Sequence, residues 1–199
     1  MQDQFVGTMP VQERHRFDVE RLERYMHEHV ADFRGPLSVE QFKGGQSNPT
    51  FLLVTPGQRY VLRRKPPGHL LPSAHQVDRE YRVIHALHGA GYAVPRAYCL
   101  CEDESVVGTM FYIMEMVEGR ILWELSMPGF EPAERTSVYD AILSTFADLH
   151  NLDYRKVGLA DFGKTTDYMA RQIHRWSKTY VASETSKIPA MDKLNAWLP

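Results

Sequence analysis

Two strand-like stretches, Thr50-Phe-Leu-Leu-Val54 and Arg59-Tyr-Val-Leu-Arg-Arg64, are separated only by Thr55-Pro-Gly-Gln58. Proline and glycine inside so short a connection are turn residues, so the two stretches are constrained to an antiparallel hairpin. A further strand, Leu37–Lys43, precedes them. Two more, near Ala97–Cys101 and Thr109–Val117, follow a helix expected from about His75 to Gly89. This part of the chain therefore reads as an antiparallel meander with one inserted helix. Ahead of it, Leu22, Tyr25, Met26, His29, Val30 and Phe33 recur at helical spacing, with Asp18 as N-cap and Gly35-Pro36 as the stop.

After Gly119 the character changes. Glu131–Leu152 carries Tyr139, Ile142, Leu143, Phe146 and Leu149 on an amphipathic pattern, and Thr165–Val181 carries Met169, Ile173, Trp176 and Tyr180 on one stripe. Met191–Leu198 is a third helix. A β-rich first part thus passes into a helical second part, an α+β pattern. The expected divisions are a helical extension over 1–36, a β-rich lobe with its hinge over 37–119, and a partial helical lobe over 120–199.

Several function classes are disfavoured by composition. A net charge of -2 gives no argument for nucleic acid or an anionic membrane as the main partner. No apolar run approaches the roughly 20 residues of a membrane span. The start, Met1-Gln-Asp-Gln-Phe5, lacks the basic and apolar regions of a signal peptide. Cys99 and Cys101 are too few for a disulfide framework, so a reducing, cytoplasmic compartment is expected. They share one strand face without further ligands at metal-binding spacing, and read as small buried hydrophobes.

The residues that could carry chemistry lie in the first part. Gly44-Gly45 lets backbone approach a phosphate closely, since glycine has no Cβ. Successive N–H groups there can form an anion-binding nest, with Gln46 in the loop and the Ser47 hydroxyl and Asn48 amide as extra donors. A plain hairpin turn has the same appearance. In the next strand Val61 and Arg63 share one face and Tyr60 and Leu62 the other. Arg63 on a cleft face would clamp phosphate oxygens bidentately; Lys65, on the same face, is its rival. Glu80 shares a helical stripe with Ile84 and Leu87. If that stripe meets the sheet, the carboxylate needs a cation, although Asp78-Arg79-Glu80-Tyr-Arg82 also fits a solvated charged face. The run Met110–Val117 can end as a hinge offering backbone groups to an adenine edge, or be simply a buried strand. On the Thr165 helix, Arg171, Arg175 and Lys178 form a basic stripe, read as a solvated face before an anion site. The nine histidines show no ligand cluster.

Taken in order, these pieces resemble the aminoglycoside phosphotransferase-like family of protein-kinase-like fold, and within it the phosphotransferase domains associated with acyl-CoA dehydrogenases. The passages that carry the resemblance are Gly44-Gly-Gln-Ser-Asn-Pro-Thr-Phe51, Tyr60-Val-Leu-Arg-Arg-Lys-Pro-Pro-Gly68 with Leu71-Pro-Ser-Ala-His75, Arg79-Glu-Tyr81, Phe111-Tyr-Ile-Met-Glu115 with Glu118-Gly-Arg120, and Tyr168-Met-Ala-Arg-Gln-Ile173 with Trp176. The resemblance implies an antiparallel β-rich N-lobe with one inserted helix, followed by the first helices of a C-lobe. It implies ATP and Mg2+ as cofactors and a small-molecule hydroxyl as acceptor, with a hydroxylated acyl compound hinted at. It makes Gly44, Gly45, Gln46, Ser47 and Asn48 the phosphate loop, Arg63 beside Val61 the clamping cation, and Glu80 its partner. Met114 becomes the gatekeeper, and Glu115, Met116 and Val117 the hinge, touching adenine through the backbone of Glu115 and Val117.

The family's general base and metal ligands lie on a later His-Gly-Asp…Asn loop and an Asp-Trp-Glu-like segment, and neither string occurs here. Asp161-Phe-Gly163, after His150-Asn-Leu-Asp153, imitates a kinase metal tripeptide. The catalytic-loop spacing His-x-Asp-x-x-x-x-Asn is absent, however, and Asp153 to Asp161 leaves no room for two strands. His150 reads instead as the end of a core helix. The expectation is a fragment lacking the catalytic loop, inactive alone, with an exposed second-lobe face around Met169, Ile173, Trp176 and Trp197 that promotes self-association. A non-catalytic nucleotide-binding or interaction module is the alternative.

Overall fold

The side chains of a strand alternate between two faces, so the pairing register decides what each face of this sheet presents. The structure, a computed structural model, describes residues 6–44, 48–68, 75–122 and 124–198. Its strands are β1 (Thr8–Met9), β2 (Ser38–Phe42), β3 (Thr50–Val54), β4 (Arg59–Arg64), β5 (Ala97–Cys101) and β6 (Phe111–Glu115). They form one antiparallel sheet in the order β1-β2-β3-β4-β6-β5. Phe51 lies opposite Leu62, and Leu62 opposite Ile113. Leu53 and Tyr60 join that face, as do Phe111, Cys99 and Cys101.

This face is buried by helix α1 (Val19–His29), whose Leu22 and Met26 are 0% exposed, together with Val30, Phe33 and Leu37. Asp18 caps the helix, accepting the Arg21 N–H at 2.9 Å. The helix ends at His29, short of Gly35-Pro36, because Val30 turns extended and carries Phe33 onto the sheet. The segment expected as an extension thus supplies one side of the core, and β1 adds an edge strand to β2.

Two further departures concern connectivity. The sheet is not a simple meander: β5 is the outer strand and β6 runs between β4 and β5. A second inserted helix, α3 (Glu104–Val107), joins them, capped by the Asp103 carboxylate on the Ser105 N–H at 2.8 Å. Its Val106 and Val107 are buried in the core shared with α1. The expected inserted helix is α2 (Val77–Gly89), with Val77 and Leu87 buried. It closes with Gly91 at φ +76°, where Gly91 N–H bonds the His88 carbonyl and Tyr92 N–H the Leu87 carbonyl. A glycine is suited to that left-handed position.

The chain divides into two compact units, Met1–Val157 and Gly158–Pro199. The first unit also holds α4 (Pro132–Asn151), opened by a capping box between Glu131 and Glu134. None of its residues is buried, so His150 ends a surface helix rather than the expected core one. The second unit contains α5 (Tyr168–Ser183) and α6 (Pro189–Trp197), the latter started by Pro189. Ile173 and Trp176 line a groove with Met191 and Leu194, and Trp176, like Met169 and Trp197, is exposed. Among the described residues no helix is long and apolar enough to cross a membrane.

Candidate functional site

On the sheet face opposite α1, β3, β4 and β6 place Thr50, Arg63 and Tyr112 side by side, and next to them Leu52, Val61 and Met114. Arg63 extends from this face to α2, where its Nε donates to Glu80 Oε2 at 2.7 Å and its Nη2 approaches Glu80 Oε1 at 3.5 Å. Its Nη1 donates to Thr50 Oγ1 at 3.3 Å. The predicted cation and carboxylate are therefore brought together, each about a third exposed. The rival cation, Lys65, lies past the end of β4; its backbone bonds Met110 and Thr109, and it makes no ion pair with a described residue.

Glu80 holds more than one donor. Tyr112 donates its hydroxyl to Glu80 Oε2 at 3.3 Å, and Asn48 donates Nδ2 to Glu80 Oε1 at 3.1 Å. Burial first, and then the Glu80 charge, push the Tyr112 phenol above its ordinary range, so the hydroxyl stays a donor. Asn48 is 3% exposed, and its Oδ1 meets His75 Nδ1 at 2.7 Å. The Asn48 amide, expected to offer itself to a phosphate, is instead turned inward and engaged at both ends. A buried amide must satisfy both of its poles, and Glu80 and His75 do so. Gly44 is described; Gly45, Gln46 and Ser47 lie outside the described residues.

Leu52 and Val61 are buried on this face, with Met114 directly across from Val61. Past Glu115, which pairs with Tyr60, the ladder ends. The Glu115 N–H bonds the Arg96 carbonyl at 2.8 Å, and its carboxylate takes the Arg96 N–H at 3.1 Å. Met116 and Val117 belong to no strand, and Val117 is 57% exposed with no hydrogen bond from its N–H to a described residue. Glu118 forms an ion pair with Arg59 at the start of β4, fastening the segment after β6 to the sheet. An apolar wall of Leu52, Val61 and Met114 next to an open backbone donor suits a flat, hydrogen-bonding ring; a guanidinium held by a carboxylate suits phosphate oxygens.

The sequence alone does not mark Thr50, Tyr112 or His75 as site residues. Thr50 and Tyr112 follow from the register once β3, β4 and β6 are paired; His75 had no local signal beyond its place in the Leu71–His75 passage. Cys99 and Cys101 are buried free thiols, as expected. Residues 153–163 form turns with no strand, so Asp161 does not sit in a kinase-like metal loop. Among the described residues no group of three or more His, Cys, Asp or Glu comes together to hold a metal ion.

Residues 38–199 match the phosphotransferase enzyme family. The chain is 46% identical over 195 residues to acyl-CoA dehydrogenase family member 11 of Rattus norvegicus, covering 96% of the chain and 25% of that protein. The Gallus gallus counterpart is 48% identical over 196 residues, with the same coverage. The chain thus spans about a quarter of the length of these curated relatives. A crystal structure from Ralstonia eutropha, described as a "putative aminoglycoside phosphotransferase", is 56% identical and superposes with a TM-score of 0.78. The match covers 92% of this chain and 53% of that one.

Proposed function

We propose, from the premise that this chain belongs to the phosphotransferase enzyme family, that it is the nucleotide-binding part of an enzyme moving the γ-phosphoryl group of ATP to a hydroxyl of a small molecule. The observation that carries the reading is the Arg63–Glu80 pair, set on the same sheet face as Val61 and Met114. In this reading Arg63 binds phosphate oxygens, while Glu80 holds it in place with Thr50 and Tyr112. Leu52, Val61 and Met114 bed the adenine, whose edge is met by the Glu115 carbonyl and Val117 N–H. Gly44, Gly45, Gln46 and Ser47 complete the phosphate loop.

Phosphoryl transfer relies on positioning and charge neutralisation, to which a bound Mg2+ contributes by drawing charge from the phosphate oxygens. In this reading the metal ligands and the general base belong to the part of the longer relatives that this chain does not match. The names of the curated relatives favour a hydroxylated acyl compound as acceptor. Buried free thiols at Cys99 and Cys101 favour a reducing, cytoplasmic setting.

Calorimetric titration of the chain with Mg·ATP tests the reading. Saturable binding that Arg63→Ala weakens supports it; no binding by the wild-type chain overturns it. A longer protein containing this chain should release ADP in the presence of its acceptor, followed by 31P NMR. Binding without any such transfer would favour the non-catalytic module.

A further inference from the structure

We propose that His75 is a positioning residue for the phosphate end of this site, acting on Arg63 through Asn48 and Glu80; this rests on the nucleotide reading above. An amide side chain has two unlike poles. Its nitrogen only donates and its oxygen only accepts. Asn48 Nδ2 faces Glu80 Oε1 at 3.1 Å, and a carboxylate oxygen accepts, so the opposite orientation would set carbonyl against carboxylate. Asn48 Oδ1 is therefore the atom facing His75 at 2.7 Å, and His75 Nδ1 must carry the proton. The tautomer is fixed by the network.

That network closes on itself. Arg63 donates to Glu80 and to Thr50 Oγ1, and Thr50 Oγ1 donates to the Asn48 carbonyl at 3.1 Å. Asn48 then returns to Glu80 through its side chain. His75 enters this ring from outside. It stands two residues before α2, which carries Glu80, while Asn48 stands two residues before β3. The His75–Asn48 bond thus ties the start of α2 to the start of β3, the two elements whose Glu80 and Thr50 fix the guanidinium of Arg63. His75 also holds φ +57°, a left-handed conformation unusual for a residue with a Cβ, and its carbonyl accepts the Val77 N–H at 2.9 Å. Among the described residues its imidazole touches the network only through Asn48, so its influence on a phosphate passes through Arg63 and not through the adenine wall of Leu52, Val61 and Met114.

The test compares Mg·ATP and adenosine binding to the whole 199-residue chain and to its His75→Phe and His75→Gln variants. His75→Phe keeps a flat ring but removes the donor; His75→Gln restores an N–H donor. The expected result is a loss of about tenfold in Mg·ATP affinity for His75→Phe, comparable to one hydrogen bond. Adenosine affinity should stay unchanged, and His75→Gln should recover most of the loss. Equal loss of both ligands, or no loss, would overturn the assignment. So would failure of His75→Gln to recover the loss. If His75→Phe does not fold, 15N–1H NMR of the wild-type imidazole at alkaline pH decides: a proton on Nδ1 supports the assignment and a proton on Nε2 sinks it. A wild-type chain that binds no Mg·ATP would instead remove the nucleotide reading itself.

Discussion

Tyr112 and Arg63 reach the same oxygen of Glu80 from neighbouring strands, the phenol at 3.3 Å and the guanidinium at 2.7 Å. With Asn48 on the other oxygen, the carboxylate has donors at both oxygens. Glu80→Ala should release Arg63 and lower Mg·ATP affinity about tenfold to a hundredfold, the worth of charge-assisted hydrogen bonds at roughly 1.5–3 kcal/mol. Tyr112→Phe should cost less, about 0.5–1.5 kcal/mol. Calorimetry measures both, and an unchanged affinity for Glu80→Ala would detach this pair from nucleotide binding.

The open N–H of Val117 invites a backbone test. Val117→Pro removes the donor, whereas Val117→Ala keeps it. The first should weaken both adenosine and ATP about fivefold to tenfold, the worth of one hydrogen bond, and the second should leave both near wild type. Fluorescent-nucleotide displacement by adenosine and by ATP reads this directly. It separates the adenine edge from the phosphate end, where His75→Phe should affect only ATP.

Arg64, next to Arg63 but on the other sheet face, is 2% exposed and has no carboxylate partner among the described residues. It donates to the carbonyls of Val107 and His15, at 2.6 and 2.8 Å, and lies over the rings of Phe17 and Phe51. Burial alone pulls its pKa down to about 10. Arg64→Met would fill much of the volume but leave two carbonyls without a donor. We expect a loss of about 2–4 kcal/mol, seen as a lower urea midpoint at unchanged slope. A midpoint within error of wild type would mean that water replaces the guanidinium at no cost.

Burial also pushes the Cys99 thiol from 9.0 up to about 12, with the neighbouring Cys101 adding to the shift. An acid whose folded pKa is raised loses its proton first in the unfolded chain, so stability falls as pH rises from about 9 towards about 12. Cys99→Ala should flatten that alkaline decline in urea midpoints measured across the window. An equally steep decline in the variant would assign the loss to other groups.

On α4, Leu143 and Phe146 are 63% and 59% exposed, with Ile142 on the same helix. An apolar surface of this kind favours association. The chain alone should sediment as a concentration-dependent mixture, and Leu143→Glu with Phe146→Glu should shift it towards monomer. A monomeric wild type at all concentrations would refute this.

The hairpin Thr50–Arg64 is legible to its end residues because Pro56-Gly57 marks the turn and apolar runs mark the strands. That Glu80 needs a cation if its helical stripe meets the sheet is legible too, but only the structure chooses Arg63 over Lys65. Strand β1 is not, because two residues have no periodicity. The placement of β6 inside β5 is set by pairing with β4, a contact far apart in the chain that local pattern does not encode. The stripe Leu22, Met26 reads as a buried helix face, but nothing in it names the surface it covers. Asn48 looks like a phosphate donor in a loop motif, and only its three-dimensional neighbours reveal an amide spent inside the protein.

The match to the family begins at residue 38, yet Leu22 and Met26 are among the most deeply buried side chains of the molecule. The stretch matched over residues 38–199 is therefore shorter than the stretch that must fold together. A protein begun at residue 38 would retain Arg63, Glu80 and every strand from β2 onward, and would expose Phe51, Leu53 and Leu62 to water. Burying such side chains contributes roughly 1.5–3 kcal/mol each, so starting the chain at residue 38 would keep every residue of the candidate site and remove the support that shapes it.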